Sequence, residues 1–163
     1  MAADFDRDKL LNRIAGAYRK APFFDTVFPL VERAVRFDDG NLFRYINNSL
    51  LETSAFLGIG TRIVPASSFS IDSSLRGQDK VIALCREARA DVYVNAIGGV
   101  DLYSSHEFAS AGLELRFIRS GPFEYRQFGA PFVPSLSIID TLMFCEAGLV
   151  HDQLTTNYEL FGA

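Results

Sequence analysis

One aspartate, Asp140, interrupts an otherwise apolar stretch, SLSIIDTLMF, in a chain of 163 residues. A carboxylate on such a face is costly to bury unless it is paired or hydrogen-bonded. It therefore reads either as a general base or ligand-positioning group, or as a first-turn carboxylate favoured by the helix dipole. The second candidate for moving a proton is His106; the other histidine, His151, opens a polar C-terminal stretch beside Asp152. Neither has a second histidine or a cysteine at metal-ligand spacing, so no zinc site is indicated, and both are expected to be exposed and structurally neutral. No GxSxG elbow and no local Cys/His signature occurs. A catalytic triad stays open only as something the fold assembles from distant positions.

Three further groups could hold a ligand. Asn95 and Gly98-Gly99 follow a β-branched run, DVYVN. In open α/β sheets that position lines the ligand crevice, and glycines let backbone amides approach an anion. The competing reading is a tight turn that needs positive φ. The spacing is not GxGxxG, and no GxxxxGK[ST] exists in the chain, so neither a dinucleotide fold nor a P-loop is supported. Ser67 and Ser68 open a Ser-rich connection, ASSFSIDSSLRG, where their hydroxyls would either meet a phosphate or sugar or cap turns. Tyr125, Arg126 and Gln127 are polar tips in a Pro/Gly-bounded loop from Gly121 to Pro134. A loop of that length is usually functional or disordered. Phe123, Phe128 and Phe132 argue against disorder, which leaves a lid or pocket wall, or simple packing.

The elements that must position these residues begin with helices. Leu10, Leu11, Ile14 and Tyr18 recur at helical spacing, and Ala21-Pro22 ends that segment. A second helix is expected from Asp25 to Val35, with Pro29 in its first turn. Asp38-Asp39-Gly40 makes a turn, Asn41 caps a third helix carrying Leu42, Phe43, Ile46, Leu50 and Leu57, and Gly58 stops it. Arg62-Ile63-Val64 reads as a short strand, Asp79 to Arg89 as a fourth helix, and Asp91 to Asn95 as the next strand. Ser104 and Glu107 have capping-box spacing, Gly112 closes that helix, and Leu113 to Arg119 alternates as a strand. Ser137 to Ala147 is a last apolar helix before a polar tail. The fold class is thus α/β: a short, mostly parallel sheet flanked by helices, with a helical N-terminal third. No repeat, low-complexity segment or linker divides the chain, so residues 1–163 read as a single domain.

Composition sets outer limits. A chain of this length can bury roughly 70% of its unfolded surface, and fifteen Phe and six Tyr with no Trp supply the core. The net charge is −4, lysine is limited to Lys9, Lys20 and Lys80, and the arginines are scattered. No coherent basic surface for nucleic acid is readable. Cys85 and Cys145, sixty residues apart in apolar patterns, read as buried free thiols. With no apolar run near twenty residues and no signal-peptide core, the chain is expected to be cytoplasmic and not inserted in a membrane.

Several of these segments, taken in order, resemble the WbqC-like family. They are Tyr18 with Ala21-Pro22-Phe23-Phe24, Leu57-Gly58-Ile59 followed by Ser67-Ser68, Asp91 to Asn95 with Gly98-Gly99, and Leu102-Tyr103 with Phe108. Gly112-Leu113, Tyr125 with Gln127, and Leu136 to Asp140 complete the set. It spans about Phe5 to Leu160. The resemblance implies a transferase of bacterial surface-polysaccharide (O-antigen, lipopolysaccharide) biosynthesis acting on an activated sugar or acyl donor. It makes Ser68, Asn95, Gly99, Tyr103, Tyr125, Gln127 and Asp140 pocket residues, at the ends of the strands holding Ile63, Val94 and Phe117. The resemblance leaves the cofactor and any metal requirement open. The family's usual N-terminal strand-rich region, with a Gln-Pro turn and an Asn-Arg segment, is not seen, and the chain starts at Met1 inside the first helix. The match is thus to the family's C-terminal two-thirds. A sheet short of strands would expose an edge and favour a homo-oligomer. The rival expectation is a non-catalytic binding or scaffold protein that keeps the fold without the activity.

Overall fold

The computed structural model describes residues 5–129 and 131–162, so the expectation that Met1 opens inside a helix lies outside the described residues. Helix α1 (Arg7–Tyr18) starts where the Asp6 side chain accepts from the Lys9 amide at 2.9 Å. It ends just before the Ala21-Pro22 step. Helix α2 (Phe24–Arg36) buries Val27, Leu30, Val31 and Val35. Pro29 is its sixth residue, not part of its first turn. Proline inside a helix costs about 3 kcal/mol. Four buried aliphatics at about 1.5–3 kcal/mol each outweigh that and hold the helix through the proline. Helix α3 (Leu42–Phe56) is capped by Asn41, which accepts from the Arg44 amide at 3.1 Å. Gly58, at φ +67°, ends the turn beyond it.

Beyond Thr61 the expected Arg62–Val64 strand does not form; these residues belong to no helix or strand, and a single 3₁₀ turn covers Ala66–Ser68. Three residues running into Pro65 offer too few donors to hold a ladder. Helix α4 (Gly77–Glu87), strand β1 (Val92–Ala96), a 3₁₀ turn (Ile97–Leu102), helix α5 (Ser105–Ser110) and strand β2 (Glu114–Ser120) follow. Gly112, at φ +77°, makes the left-handed step between α5 and β2.

The last apolar helix is shorter than expected. Helix α6 covers Ile138–Phe144, and the stretch expected as a polar tail is helix α7 (Ala147–Thr156) and strand β3 (Tyr158–Gly162). The sheet has order β1-β2-β3: β1 and β2 are parallel, with Val92 opposite Glu114, and β3 is antiparallel to β2, with Phe117 opposite Phe161. One of its two pairings is parallel, and helices flank it.

The residues cluster into two compact units: the chain up to Thr61 with Phe123–Thr156, and Arg62–Pro122 with the segment from Asn157 onward. The first unit holds α1, α2, α3, α6 and α7 around Leu11, Val27, Leu30, Val31, Leu142, Met143 and Val150. The second holds the sheet, α4 and α5 around Cys85, Phe108, Leu113, Leu115 and Phe117. Alternation along β2 places Leu115 and Phe117 in that core, as the period of a half-buried strand requires. Both cysteines are free and buried.

Candidate functional site

Asp140 is 4% exposed and is the third residue of α6, where Ser137 accepts from the Ile139 amide as the helix cap. The first-turn reading of this residue is met. It sits in the first turn, where the helix dipole favours a carboxylate, and its oxygens face a set of donors. The Tyr18 hydroxyl donates to Oδ2 at 2.9 Å; the Tyr125 hydroxyl donates to Oδ1 at 2.7 Å and Gln127 Nε2 to the same oxygen at 2.9 Å. Three donors on two oxygens satisfy the hydrogen-bonding capacity of a buried carboxylate. The Tyr125 hydroxyl also lies 3.2 Å from Thr141 Oγ1.

The loop after Phe123 is held by the same contacts. Gln127 accepts from the Val133 amide at 2.9 Å and donates to the Val133 carbonyl at 3.2 Å while it donates to Asp140. One side chain therefore closes the loop on itself and fastens it to α6. Aromatic packing does the rest: Tyr125 meets Phe132 at 5.2 Å and Phe123 at 5.4 Å, and Phe128 meets Phe144 edge-on at 4.8 Å. Phe144 also receives Tyr18 edge-on at 6.2 Å. Arg126, between the two inward side chains, is exposed.

Burial and the neighbouring carboxylate raise both phenols. Tyr18 is pushed up to about 12, first by loss of solvent and then by its bond to Asp140. Tyr125 is raised for the same leading reason. Both hydroxyls stay protonated at neutral pH and act as donors to Asp140. A cavity of about 490 Å³ opens on this cluster, lined by Tyr18, Gln127, Phe128, Leu136, Asp140 and Phe144 among others. A recess of about 260 Å³ shares Ala17 and Phe128 with it and adds Arg19 and Lys20. Both cavities lie within the first unit.

The remaining candidates lie in the second unit. Asn95, in β1, accepts the Ala96 amide on its own Oδ1 at 2.8 Å. Gly99 is buried against it: a Cβ there would come within 2.7 Å of Asn95 Nδ2 and 3.5 Å of the Tyr103 ring. Neither Gly98 nor Gly99 has positive φ, so no left-handed turn forms here, and Gly99 alone serves close approach. The Tyr93 hydroxyl reaches Tyr103 at 3.4 Å, with both rings against Phe108. Asn95, Gly99 and Tyr103 are thus brought together, while Gly98 faces open space. Ser67 and Ser68 are exposed in their 3₁₀ turn, and Ser68 Oγ donates to the Pro65 carbonyl at 2.7 Å. His106 is 84% exposed at its side chain, with Nδ1 3.5 Å from Glu107.

His151 departs from expectation. It is half-buried on α7, and its Nδ1 lies 2.8 Å from the Leu57 carbonyl, because the segment that looked like a tail is a helix with Val150 in the core. Tyr18 was missed as a site residue. Its signal was an aromatic ending an amphipathic helix just before a proline turn, but 122 positions separate it from Asp140. Arg19 and Lys20 gave no signal beyond adjacent charge. Among the described residues, no group of three or more His, Cys, Asp or Glu is placed to hold a metal ion.

The fold and this site define a mixed α/β protein with a buried carboxylate set between two tyrosines and a glutamine beside an open cavity. The chain belongs to the WbqC-like protein family, whose family model matches residues 2–151. Searches of curated proteins and of solved structures found no match. Among the described residues no helix is long and apolar enough to cross a membrane.

Proposed function

We propose that the protein is a transferase of bacterial surface-polysaccharide (O-antigen) biosynthesis that moves a sugar or acyl group from an activated donor to a hydroxyl acceptor. The observation that carries this reading is the buried Asp140 carboxylate, satisfied by Tyr18, Tyr125 and Gln127, on the wall of a 490 Å³ cavity. A volume of that size suits one small substrate. Carboxylate, amide and aromatic side chains together match the hydroxyls and apolar face of a sugar.

Tyr18 lines the cavity and donates its proton to Asp140, so its oxygen lone pairs are free to accept from an acceptor hydroxyl. As that hydroxyl oxygen attacks the donor carbon, its proton passes to Tyr18 and the tyrosine proton to Asp140 Oδ2. The leaving group departs with the electron pair of the broken bond. Arg19 and Lys20, in the adjoining recess, suit the phosphates that activated sugar and acyl donors carry. The pair is solvent-exposed, so each charge contributes only about 1 kcal/mol at contact.

The test is rescue of surface polysaccharide in a strain lacking the gene, with donor turnover by the purified chain. Asp140→Asn and Tyr18→Phe are expected to lower turnover by about 10²-fold or more, the usual worth of a positioned acid–base group. Full activity in both variants would remove this site. A wild-type chain that rescues the strain yet turns over no donor would favour the binding or scaffold reading.

A further inference from the structure

The first unit contains a further cavity, of about 470 Å³, that the transfer chemistry does not use. Leu10 and Ile14 of α1, Leu30 and Val31 of α2, Leu50 of α3 and Leu142 of α6 supply its walls. The polar side chains on its surface are already engaged. Tyr45 donates to the Val35 carbonyl at 3.0 Å, Ser49 to the Ile46 carbonyl at 2.7 Å, and Thr53 to the Ser49 carbonyl at 2.8 Å. Ser137 is the cap of α6. The interior therefore offers an occupant apolar surface and little else. The α3 side is the open one: that helix has no fully buried residue, and Leu50 is 52% exposed although it lines the cavity.

One turn before Leu10, just outside the cavity's lining, stands a cation held only by long contacts. Arg7 precedes Leu10 by three residues and Ile14 by seven, so the three share one face of α1. Its Nε is buried, and no acceptor among the described residues meets it. Its Nη2 makes only long contacts, 3.4 Å to the Phe37 carbonyl and 3.4 Å to Asp38, a carboxylate 96% exposed. The Arg7 charge also reaches Tyr45 on the cavity wall, where it offsets part of the rise that burial causes in that phenol. A guanidinium with a buried N–H that has no acceptor is costly, and a carboxylate or phosphate at its terminal nitrogens would supply the short charge-assisted contact that the group lacks.

We propose that this cavity binds a single-chain amphiphile with an anionic head, its hydrocarbon chain among Leu10, Ile14, Val31 and Leu142 and its head group on Arg7. The occupant is set by two observations together: an apolar interior whose polar groups are satisfied, and an under-partnered cation on the same helix face. A second copy of the chain or a partner helix would cover the α3 face but would leave the Arg7 requirement unmet.

The experiment is titration calorimetry of the full chain with a series of saturated fatty acids up to dodecanoate, below their micelle concentrations. Affinity is expected to rise roughly three- to fourfold per added methylene until the cavity is filled, the ratio that burial of one CH₂ implies. Arg7→Gln is expected to weaken dodecanoate binding roughly tenfold or more while leaving dodecanol unchanged. Ala34→Leu, which adds bulk to the wall at a half-buried helix position and keeps helix propensity, is expected to shorten the longest chain accepted. Absence of saturable dodecanoate binding by the wild-type chain would overturn the proposal. So would affinity that ignores both substitutions, which would mean adsorption to the exposed α3 face. The Asp140 site is untouched by either variant, so this result and the turnover result stand apart.

Discussion

Asp140 shows how one buried charge organises its surroundings. Its two oxygens take donors from α1 and from the loop after Phe123, so the carboxylate fixes side chains far apart in sequence. Asparagine keeps the shape but turns one acceptor into a donor, leaving at least one of the three donors without its present acceptor. Asp140→Asn is expected to lower stability by about 1–3 kcal/mol, read from urea unfolding. The raised Tyr18 adds a pH dependence. An unfolded tyrosine titrates near 10, whereas folded Tyr18 holds its proton to about 12. Between those values the unfolded chain releases a proton that the folded chain keeps, so this contribution is intact below about pH 10 and declines up to about pH 12. Tyr18→Phe should remove that part of the alkaline decline, and thermal unfolding against pH would show it. An equally steep decline in the variant would mean other groups are responsible.

At the scale of elements, local signals in the sequence translated well where the chain supplied both halves of a device. Asn41 and Ser104 cap helices, and Gly58 and Gly112 end them. They failed where a distant partner took over. The Ser104–Glu107 capping box is half realised: Ser104 Oγ accepts from the Glu107 amide at 3.4 Å, but the Ser104 amide donates at 2.6 Å to Gln78 Oε1 on α4. The reciprocal bond thus belongs to a residue 26 positions away. Gln78→Ala is expected to cost about 1 kcal/mol, whereas Glu107→Ala costs only a few tenths. Equal losses would return the box to its sequence-local form. The α7–β3 segment shows the same lesson. Its polar residues hid a helix anchored by one buried valine and a strand whose partner, β2, lies some forty residues earlier. Arg62–Val64 is the reverse case, a β-branched run for which no ladder partner exists among the described residues.

At the scale of the molecule, the chain is interleaved: it leaves the first unit after Thr61, returns at Phe123 and departs again at Asn157. No linker composition marks these crossings: the first two fall in the connections from α3 to α4 and from β2 to α6, which carry apolar and aromatic residues, and the third falls between α7 and β3. The sequence could therefore show the α/β class and the helical first third, but not that its candidate site residues fall in two sets, with Asp140, Tyr125 and Gln127 in one unit and Asn95, Gly99 and Tyr103 in the other. Each unit has its own core and each core holds one free cysteine: Cys145 with Leu30 and Leu142, and Cys85 with Leu115 and Phe117. Burial raises both thiols, Cys145 with a further push from Asp140, so neither is a ready nucleophile in the folded chain. Their alkylation reports opening of the core that contains them. Leu115→Ala removes about 2–5 kcal/mol from the second core and is expected to speed labelling of Cys85 more than that of Cys145. Leu30→Ala is expected to reverse the order. Peptide mass spectrometry after timed alkylation separates the two rates. If both variants speed both thiols equally, the cores open together and the chain behaves as one cooperative domain, as its unbroken sequence pattern implies.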